Sequence, residues 1–384
     1  MPVVTDPAEP GTGSEGVWLW LRHLQHPERY HGRGRRPPFF EGWYYKLVDG
    51  TEDNRLAVIP GIFLSSDPAE RHAFIQVLDG SCGTAAYHRF PPGAFQAAPD
   101  RFEIRIGNNL FTADRIVLDL TERSEETEDT PGAENGSGVG RAGQNRAGMA
   151  IPGSLQGEVR FSDTTPWPVT LRSPGIMGPY AWVPFMECYH GVLSLDHTLE
   201  GTFSIAGREV AFDGGRGYTE KDWGRCFPAA WVWIQSNHFN SPGTSLTASI
   251  AVIPWLRGAF DGFIIGLQRE RTLYRFATYT GARTEHLAIT DDRVEWVVSD
   301  RRRRLEMTVG YESGGLLRGP DRERMHVRVS ETLNGEVEVR LSERGGVNRT
   351  SMTTLYHGTG RCAGVDVHGD LDRLLALQRE IENL

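Results

Sequence analysis

The sequence has few cysteines, no long apolar run and no apolar leader. The four cysteines form no CxxC pair and have no spacing to histidine that would suit a zinc site, so we expect free thiols in a reducing compartment. No stretch of 18 apolar residues occurs, which argues against a transmembrane helix. The first 16 residues are polar and lack the apolar segment of a secretory signal. Together these absences predict a cytoplasmic protein.

Positive charge is also scarce. The chain has 41 Lys and Arg against 50 Asp and Glu, a formal net charge of −9. Proteins that bind nucleic acid through its phosphates normally carry a basic face, so we expect no nucleic-acid partner. The four arginines at residues 301–304 are interpreted as a solvated turn or strand edge.

Three common enzyme motifs are missing, namely GxSxG, HExxH and GxxxxGK[ST]. One GxGxxG occurs at residues 138–143, but it has no strand before it and no helix after it, so we interpret it as a chance match. The scarcity of helical periodicity argues against Rossmann, P-loop and TIM-barrel architectures.

Short segments rich in β-branched and aromatic residues, separated by Gly, Asp, Asn and Pro, fill most of the chain. They predict strands at residues 39–49, 55–64, 72–79, 101–107, 115–121, 154–162 and 192–212, with a near-regular series from residue 229 onward. This spacing is typical of a sandwich or a barrel. We therefore predict an all-β fold.

Four segments depart from the strand pattern. Residues 1–16 and the acidic, Gly-rich insertion 122–149 have too few large apolar side chains to offset the entropy of ordering, so both are predicted to be disordered. Residues 17–32 are expected to include a short helix. Residues 370–384 carry leucines at helical spacing, with Asp370 as N-cap, and predict a terminal helix.

Three strand-like segments are unusually dense in Trp, Tyr, His and acidic residues: 39–46, 184–191 and 217–224. Because side chains alternate along a strand, Tyr218, Glu220 and Asp222 share one face of the third segment. Lys221 and Trp223 share the other face. In a barrel one face points inward, so either an acid pair or a Lys–Trp pair faces the cavity.

An acidic side chain in an aromatic cavity could protonate an alkene. Burial removes the hydration of the carboxyl group and raises its pKa, so it could hold a proton at neutral pH and act as a general acid. Aromatic faces stabilise a developing carbocation by about 0.5–2 kcal/mol per contact. Trp231 and Trp233 would share a face and could supply such walls. This chemistry needs no metal and no cofactor.

The same residues also have simpler structural interpretations. Lys221 and its acidic neighbours could form an exposed salt-bridge strip. The tryptophans after residue 229 could pack in the core, and Glu41 could pair with a nearby arginine. His190 and His238 could be structural histidines. Pattern alone predicts a β protein that binds a ligand.

At these segments the chain resembles the tocopherol cyclase family. Residues 40–46, FEGWYYK, are similar to the early GWY segment of that family. Residues 220–224, EKDWG, followed by FP and by W-W-Q-N at residues 231–237, are similar to its EKNWG…FP…W-W-Q-N signature. Asp222 stands where the family pattern has Asn, and this difference adds a charge.

The resemblance implies a fold and a reaction. Two lipocalin-like β-barrel or sandwich domains, residues 17–225 and 226–384, would pack together, with the helix at the end of the second. A prenylated hydroquinone would have its tail alkene protonated, and the phenol oxygen would capture the tertiary cation. A chromanol ring would then close without a metal or a cofactor.

A fainter similarity to carotenoid 1,2-hydratases places Glu220 on the acid implicated in alkene protonation and Tyr218 on the tyrosine before it. We therefore expect Glu220 to donate the proton, with Tyr218 and Asp222 setting its pKa. The residues expected to bind the substrate are Trp43, Tyr44, Glu187, His190, Trp223, Trp231, Trp233 and Asn237.

Other functions are compatible with the same pattern. A carrier could bind a similar isoprenoid or aromatic ligand without chemistry, a hydratase could add water to the alkene, and an enzyme of this fold could shape a pericyclic reaction. The expected partner is a hydrophobic small molecule, with no obligate protein partner. Trp18, Trp20, Trp255 and Leu256 could form an apolar lip in transient contact with a membrane surface, or could close a gap between the domains.

Overall fold

The structure, a computed structural model, describes residues 25–120, 154–184, 186–255, 258–345 and 351–382. Regular structure within these ranges is almost entirely antiparallel strand. The two segments predicted to be disordered lie outside the described residues, as do Trp18, Trp20 and Leu256.

Twelve strands form the first sheet. They are β1 (Phe39–Val48), β2 (Arg55–Leu64), β3 (His72–Asp79), β4 (Thr84–Phe90), β5 (Phe95–Ala97), β6 (Glu103–Ile106), β7 (Asn109–Thr112), β8 (Arg115–Leu120), β9 (Leu155–Ser162), β10 (Cys188–Ile205), β11 (Arg208–Ala211) and β12 (Arg216–Gly224). The order is β4-β3-β2-β1-β12-β10-β9-β8-β7-β6-β5, and β11 pairs with β10. The first and last strands in sequence therefore lie side by side in the interior of the sheet.

Eleven strands form the second sheet. They are β13 (Ala230–Ser236), β14 (His238–Phe239), β15 (Thr244–Trp255), β16 (Gly258–Arg269), β17 (Thr272–Ala277), β18 (Arg283–Ile289), β19 (Arg293–Ser299), β20 (Arg303–Gly310), β21 (Gly315–Pro320), β22 (Met325–Gly345) and β23 (Ser351–Gly369). The order is β17-β16-β15-β13-β23-β22-β20-β19-β18, with β14 paired to β23 and β21 paired to β22.

Helix α1 (Leu371–Glu382) follows the second sheet. Asp370 caps it, because its Oδ1 accepts a hydrogen bond from the backbone N–H of Arg373 at 3.0 Å. Leu374 is buried in the core of the second sheet. No helix in the described part of the chain has the length and apolarity needed to cross a membrane.

The prediction of an all-β fold with a C-terminal helix is confirmed. Residues 25–32 form turns and irregular structure, and the rest of the segment expected to include a short helix lies outside the described residues, so that expectation stays a prediction. The first sheet ends at Gly224 and the second begins at Ala230. The division into two lipocalin-like domains at residue 225 stays a prediction.

Strands β1 and β12 are buried on both faces, and this property positions the site. Trp43 and Tyr45 of β1 pack into the first sheet's own core. Tyr44, between them, joins a different cluster with Trp231 and Trp233 of the second sheet. Because successive side chains point to opposite faces, one strand contributes to both clusters, and its sequence is aromatic or aliphatic apart from Glu41, Gly42 and Lys46.

Buried polar contacts join the two sheets. Lys46 Nζ donates hydrogen bonds to Gln235 Oε1 and to the carbonyl oxygen of Cys362, each at 2.6 Å. Asn237 Nδ2 donates to the carbonyl oxygen of Gly217 at 2.8 Å. A buried donor loses stabilisation if its acceptor moves away, so these contacts fix how the sheets lie against each other.

A buried ion pair lies on the core side of β1 and β12. Lys221 Nζ is 2.6 Å from Glu41 Oε1, and both side chains are fully buried. Glu41 also accepts a hydrogen bond from the backbone N–H of His31 at 2.9 Å, and Lys221 donates to the carbonyl oxygens of Pro27, at 2.8 Å, and Arg29. The pair anchors this N-terminal segment over the sheet. The alternative of an exposed salt-bridge strip is therefore wrong, and the partner of Glu41 is a lysine and not an arginine.

Replacing Lys221 with methionine should lower the free energy of unfolding by about 3–5 kcal/mol, because the Glu41 carboxylate would stay buried without its cation. The double variant Glu41→Gln/Lys221→Met removes both charges and should recover part of that loss. Urea unfolding measures both changes. As a control, Arg293→Met breaks only the exposed pair with Glu295 and should cost less than about 0.5 kcal/mol. Equal losses for the Lys221 and Arg293 variants would contradict a structural role for the buried pair.

Candidate active site

A cavity of about 220 Å³ lies between the two sheets. Its walls are mostly apolar, and aromatic side chains from both sheets contribute, among them Phe40, Tyr44, Phe74, Phe227, Trp231, Trp233 and Phe260. The polar and charged side chains on the wall include Gln76, Glu187, His190, Glu220, Asp222, Arg318, Glu331 and Asp366. The cavity thus combines an aromatic enclosure with a group of acids.

The acid face of β12 is the one that points to the cavity. Glu220 and Asp222 line it, and Tyr218 is buried directly behind Glu220. Lys221 and Trp223 point the other way, toward the core side of the first sheet. Of the two alternatives that strand alternation left open, the acid pair and not the Lys–Trp pair faces the cavity.

Glu220 is a buried carboxyl group with two aromatic hydrogen-bond donors. Its Oε2 accepts from the Tyr218 hydroxyl at 2.5 Å and from Trp233 Nε1 at 3.1 Å. Burial raises the pKa of Glu220 to about 7, and the nearby Asp222 charge adds to that rise. His190 and the two donors act in the opposite direction but do not outweigh burial. The carboxyl group therefore retains a proton to near-neutral pH.

His190 lies between the two acids. The β10–β12 register pairs it with Asp222, and its Nδ1 is 2.9 Å from Asp222 Oδ1. Its Nε2 is 3.7 Å from Glu220 Oε2 and has no hydrogen-bond partner among the described residues. Burial lowers the pKa of His190, but the charges of Glu220 and Asp222 outweigh it and raise the pKa to about 9. The imidazole can therefore offer an N–H at the cavity surface.

Two further acids on the second sheet line the same cavity, and sequence reasoning did not find them. Glu331 Oε1 accepts a hydrogen bond from the Tyr44 hydroxyl at 2.6 Å, and burial raises the pKa of Glu331 to about 8. Asp366 Oδ2 accepts from Trp231 Nε1 at 2.6 Å. Glu331 did carry a signal, because it lies two residues after the buried Val329 and so on the same face of β22.

Glu220 and Glu331 each have one hydrogen-bond donor from the opposite sheet. Glu220 of the first sheet is held by Trp233 of the second, while Glu331 of the second is held by Tyr44 of the first. The β1–β12 register pairs Tyr44 with Glu220, and the β13–β23 register pairs Trp233 with Asp366. Two rows of side chains thus face each other across the cavity.

Five of the eight residues expected to bind the substrate line the cavity: Tyr44, Glu187, His190, Trp231 and Trp233. Trp231 and Trp233 are each 8% exposed, so they belong to a core cluster and to the cavity wall at once. Glu187 is 2.5 Å from Arg322. Their roles toward a substrate stay predictions.

The other three expected residues lie away from the cavity. Trp43 points to the core side of β1 and donates its indole N–H to the carbonyl oxygen of Glu28 at 3.0 Å. Trp223 lies on the Lys221 face, where its ring stacks on Tyr189 with centroids 5.5 Å apart. Asn237 is fully buried, and its amide N–H groups are taken by the contacts between the sheets. Strand alternation explains the two tryptophans, which the sequence motif places beside cavity residues but on the opposite face.

Three side chains of the site could also bind a metal ion. One potential ligand atom from each of His190, Glu220 and Asp222 lies within 4.8 Å of the others. An imidazole with two carboxylates is a donor set that divalent transition metals accept. The expectation that the protein needs no metal stays a prediction.

Comparison with known proteins gives one family. A family model described as tocopherol cyclase-like matches residues 37–369. The chloroplastic tocopherol cyclase of Zea mays is 29% identical over 203 residues, 50% of this chain and 41% of that protein. A probable chloroplastic tocopherol cyclase of Oryza sativa subsp. japonica is 26% identical over 215 residues, 52% of this chain and 44% of that protein. The matches span less than half the length of either relative.

A crystal structure of CghA with Sch210972 is similar to the chain at 12% identity. The superposition covers 87% of this chain and 89% of the CghA chain, with a TM-score of 0.49.

The pH dependence of stability should report the protonation of Glu220. The folded-state pKa of about 7 lies above the ordinary value of 4.5, so the carboxyl group contributes stability that is fully present below about pH 4.5 and lost as the pH rises toward 7. Glutamine at position 220 does not titrate. The free energy of unfolding of the wild type minus that of Glu220→Gln should therefore fall across this interval, as measured by urea unfolding.

A matched control is Glu209→Gln, at an exposed position on β11. Its difference from the wild type should stay flat over the same interval. A flat difference for Glu220→Gln as well would show that this carboxyl group ionises as it does in water.

Proposed function

Because the chain belongs to the tocopherol cyclase-like family, we propose that it is an enzyme that protonates the tail alkene of a prenylated hydroquinone and closes a chromanol-type ring. One observation carries this proposal: the Glu220 carboxyl group is buried, faces an apolar cavity and has its pKa raised to about 7. A general acid works best when its pKa lies near the working pH.

In the proposed reaction the Glu220 carboxyl group gives its proton to the alkene. A C–H bond forms from the alkene electron pair, and the tertiary carbon becomes cationic. Trp231 and Trp233, which line the cavity, would stabilise that charge. The phenol oxygen then forms the C–O bond and releases its proton to the Glu220 carboxylate. Product and substrate are isomers, so the acid is regenerated.

The residues around Glu220 take supporting roles in this proposal. His190 Nε2, which has no other hydrogen-bond partner among the described residues, would hold the phenol oxygen near the alkene. Asp222 fixes the orientation of the imidazole through Nδ1. Tyr218 does not line the cavity, so it would act on the pKa of Glu220 and not on the substrate.

Replacing Glu220 with glutamine should reduce turnover of a prenylated hydroquinone by about 10²-fold or more, because the amide has no proton of suitable acidity to give. Cyclisation leaves the mass unchanged and shifts the chromatographic retention, while hydration adds one water to the mass. A melting curve for each variant checks folding. Glu209→Gln, a remote carboxyl group, should retain wild-type turnover.

The outcomes separate the candidate functions. Full activity of Glu220→Gln would overturn the assignment of the acid. Tight binding with no change in retention or mass would favour the carrier, and a mass gain of one water would favour the hydratase. Loss of turnover on treatment with EDTA, with recovery on addition of a divalent metal, would show that His190, Glu220 and Asp222 act as a metal site instead.

The pH–rate profile gives a second test of the acid. With Glu220 as donor, kcat/KM should be level below about pH 7 and fall about tenfold per pH unit above it. Tyr218→Phe removes a hydrogen bond that lowers the pKa of Glu220, so the falling limb should move to higher pH while KM stays unchanged. A fall in activity with no movement of the limb would mean that Tyr218 is needed only for packing.

A further inference from the structure

One cationic side chain on the cavity wall has no anionic partner. Arg318 lines the cavity, and its Nε is buried with no hydrogen-bond partner in the part of the chain that the structure describes. Its guanidinium lies 4.9 Å from the centre of the Tyr87 ring, and it forms no ion pair with a carboxylate among the described residues. The Arg318 side chain is half-buried, and its Nε is shut off from solvent without an acceptor among the described residues, so a ligand in the cavity could supply one.

The backbone holds Arg318 in this position. The β21–β22 pairing shifts register between Leu317 and Arg318, and both of these consecutive residues line the cavity. Gln76 of β3, in the other sheet, makes two hydrogen bonds to the backbone of Arg318. Its Oε1 accepts from the Arg318 N–H at 2.7 Å, and its Nε2 donates to the Arg318 carbonyl oxygen at 2.9 Å. A side chain placed by both sheets is preorganised for a ligand.

The sheet register gives the separation of Gln76, which holds the backbone of Arg318, from the acid. Glu220 pairs with Tyr44, the β1–β2 register places Tyr44 opposite Ile59, and Ile59 pairs with Gln76. All four side chains line the cavity. Gln76 is therefore three strands away from Glu220, a distance of about 14 Å across the sheet. The cavity has an acid group at one end and a guanidinium at the other.

We infer that Arg318 binds an oxyanion, such as a carboxylate, at the end of the substrate remote from the alkene that Glu220 protonates. This inference rests on the proposed function for the role of Glu220 and narrows the substrate class to isoprenoid compounds with an acidic group. The planar guanidinium matches a carboxylate in a two-point hydrogen-bonded pair, and the apolar surroundings strengthen that pair.

Binding measurements test the inference without any turnover. Farnesoic acid, its methyl ester and farnesol share one carbon skeleton and differ in the charge of the head group. Quenching of the fluorescence of the cavity tryptophans reports their affinity. The wild type should bind the acid at least about tenfold more tightly than the ester or the alcohol, because a hydrogen bond to a charged group is involved.

Arg318→Met should abolish that preference and leave the affinity for farnesol unchanged, which also shows that the cavity is intact. Arg318→Lys keeps the charge and should retain part of the preference. Arg324→Met, at an exposed position close by in sequence, should bind all three probes as the wild type does.

Equal binding of acid and ester by the wild type, or an equal loss of all three probes in Arg318→Met, would overturn the inference. The proposed reaction fails on different evidence, namely unchanged turnover in Glu220→Gln. A preference for the acid that depends on Arg318 would therefore stand even in a carrier.

Discussion

The buried carboxyl groups of Glu220 and Glu331 are the constraint on which the cavity depends. Each lies in apolar surroundings where a charged carboxylate is costly, and each is hydrogen-bonded by an aromatic side chain of the opposite sheet. If the sheets moved apart, both acids would lose a donor while still partly buried, so the two contacts hold each other in place. The position of the candidate proton donor is therefore set by how two rigid sheets pack and not by a loop.

The two central strands serve this cavity and the core of the first sheet at the same time. On β12, Glu220 faces the cavity while Lys221, its neighbour, is fully buried on the other face against Glu41. On β1, Tyr44 and Lys46 contact the second sheet while Trp43 packs beneath. Trp, Tyr, Lys and acidic residues are dense in these short segments because each strand contributes to the core on one face and to the contact between the sheets on the other. Along β1 and β12, residues that face the core of the first sheet alternate with residues that face the second sheet.

Much of the fold could be predicted from the sequence, because most strands alternate regularly or end at Gly, Asp and Pro. The acid pair of β12 was also within reach, but alternation fixes only which residues share a face and not which face meets the cavity. The sequence could not distinguish Trp43 and Asn237 from cavity residues, because a motif shows which residues are neighbours along the chain and not where their side chains point. Glu331 and Asp366 are more than 100 residues from Glu220, and only the order β13-β23-β22 brings them beside Trp233. Such contacts depend on sheet topology, which local pattern does not encode.

The chemistry of the cavity links ligand binding to proton retention. The apolar wall that would enclose an isoprenoid tail is the same wall that raises the pKa values of Glu220 and Glu331. An apolar ligand that fills the cavity displaces water from these carboxyl groups, so it disfavours their charged forms further. The acid would then be most fully protonated when an alkene lies against it, and a carrier would gain nothing from that coupling while still bearing the cost of burying several acids. The proposed transfer of a proton to a hydrocarbon therefore accounts for these buried acids better than the binding of a hydrocarbon without chemistry does.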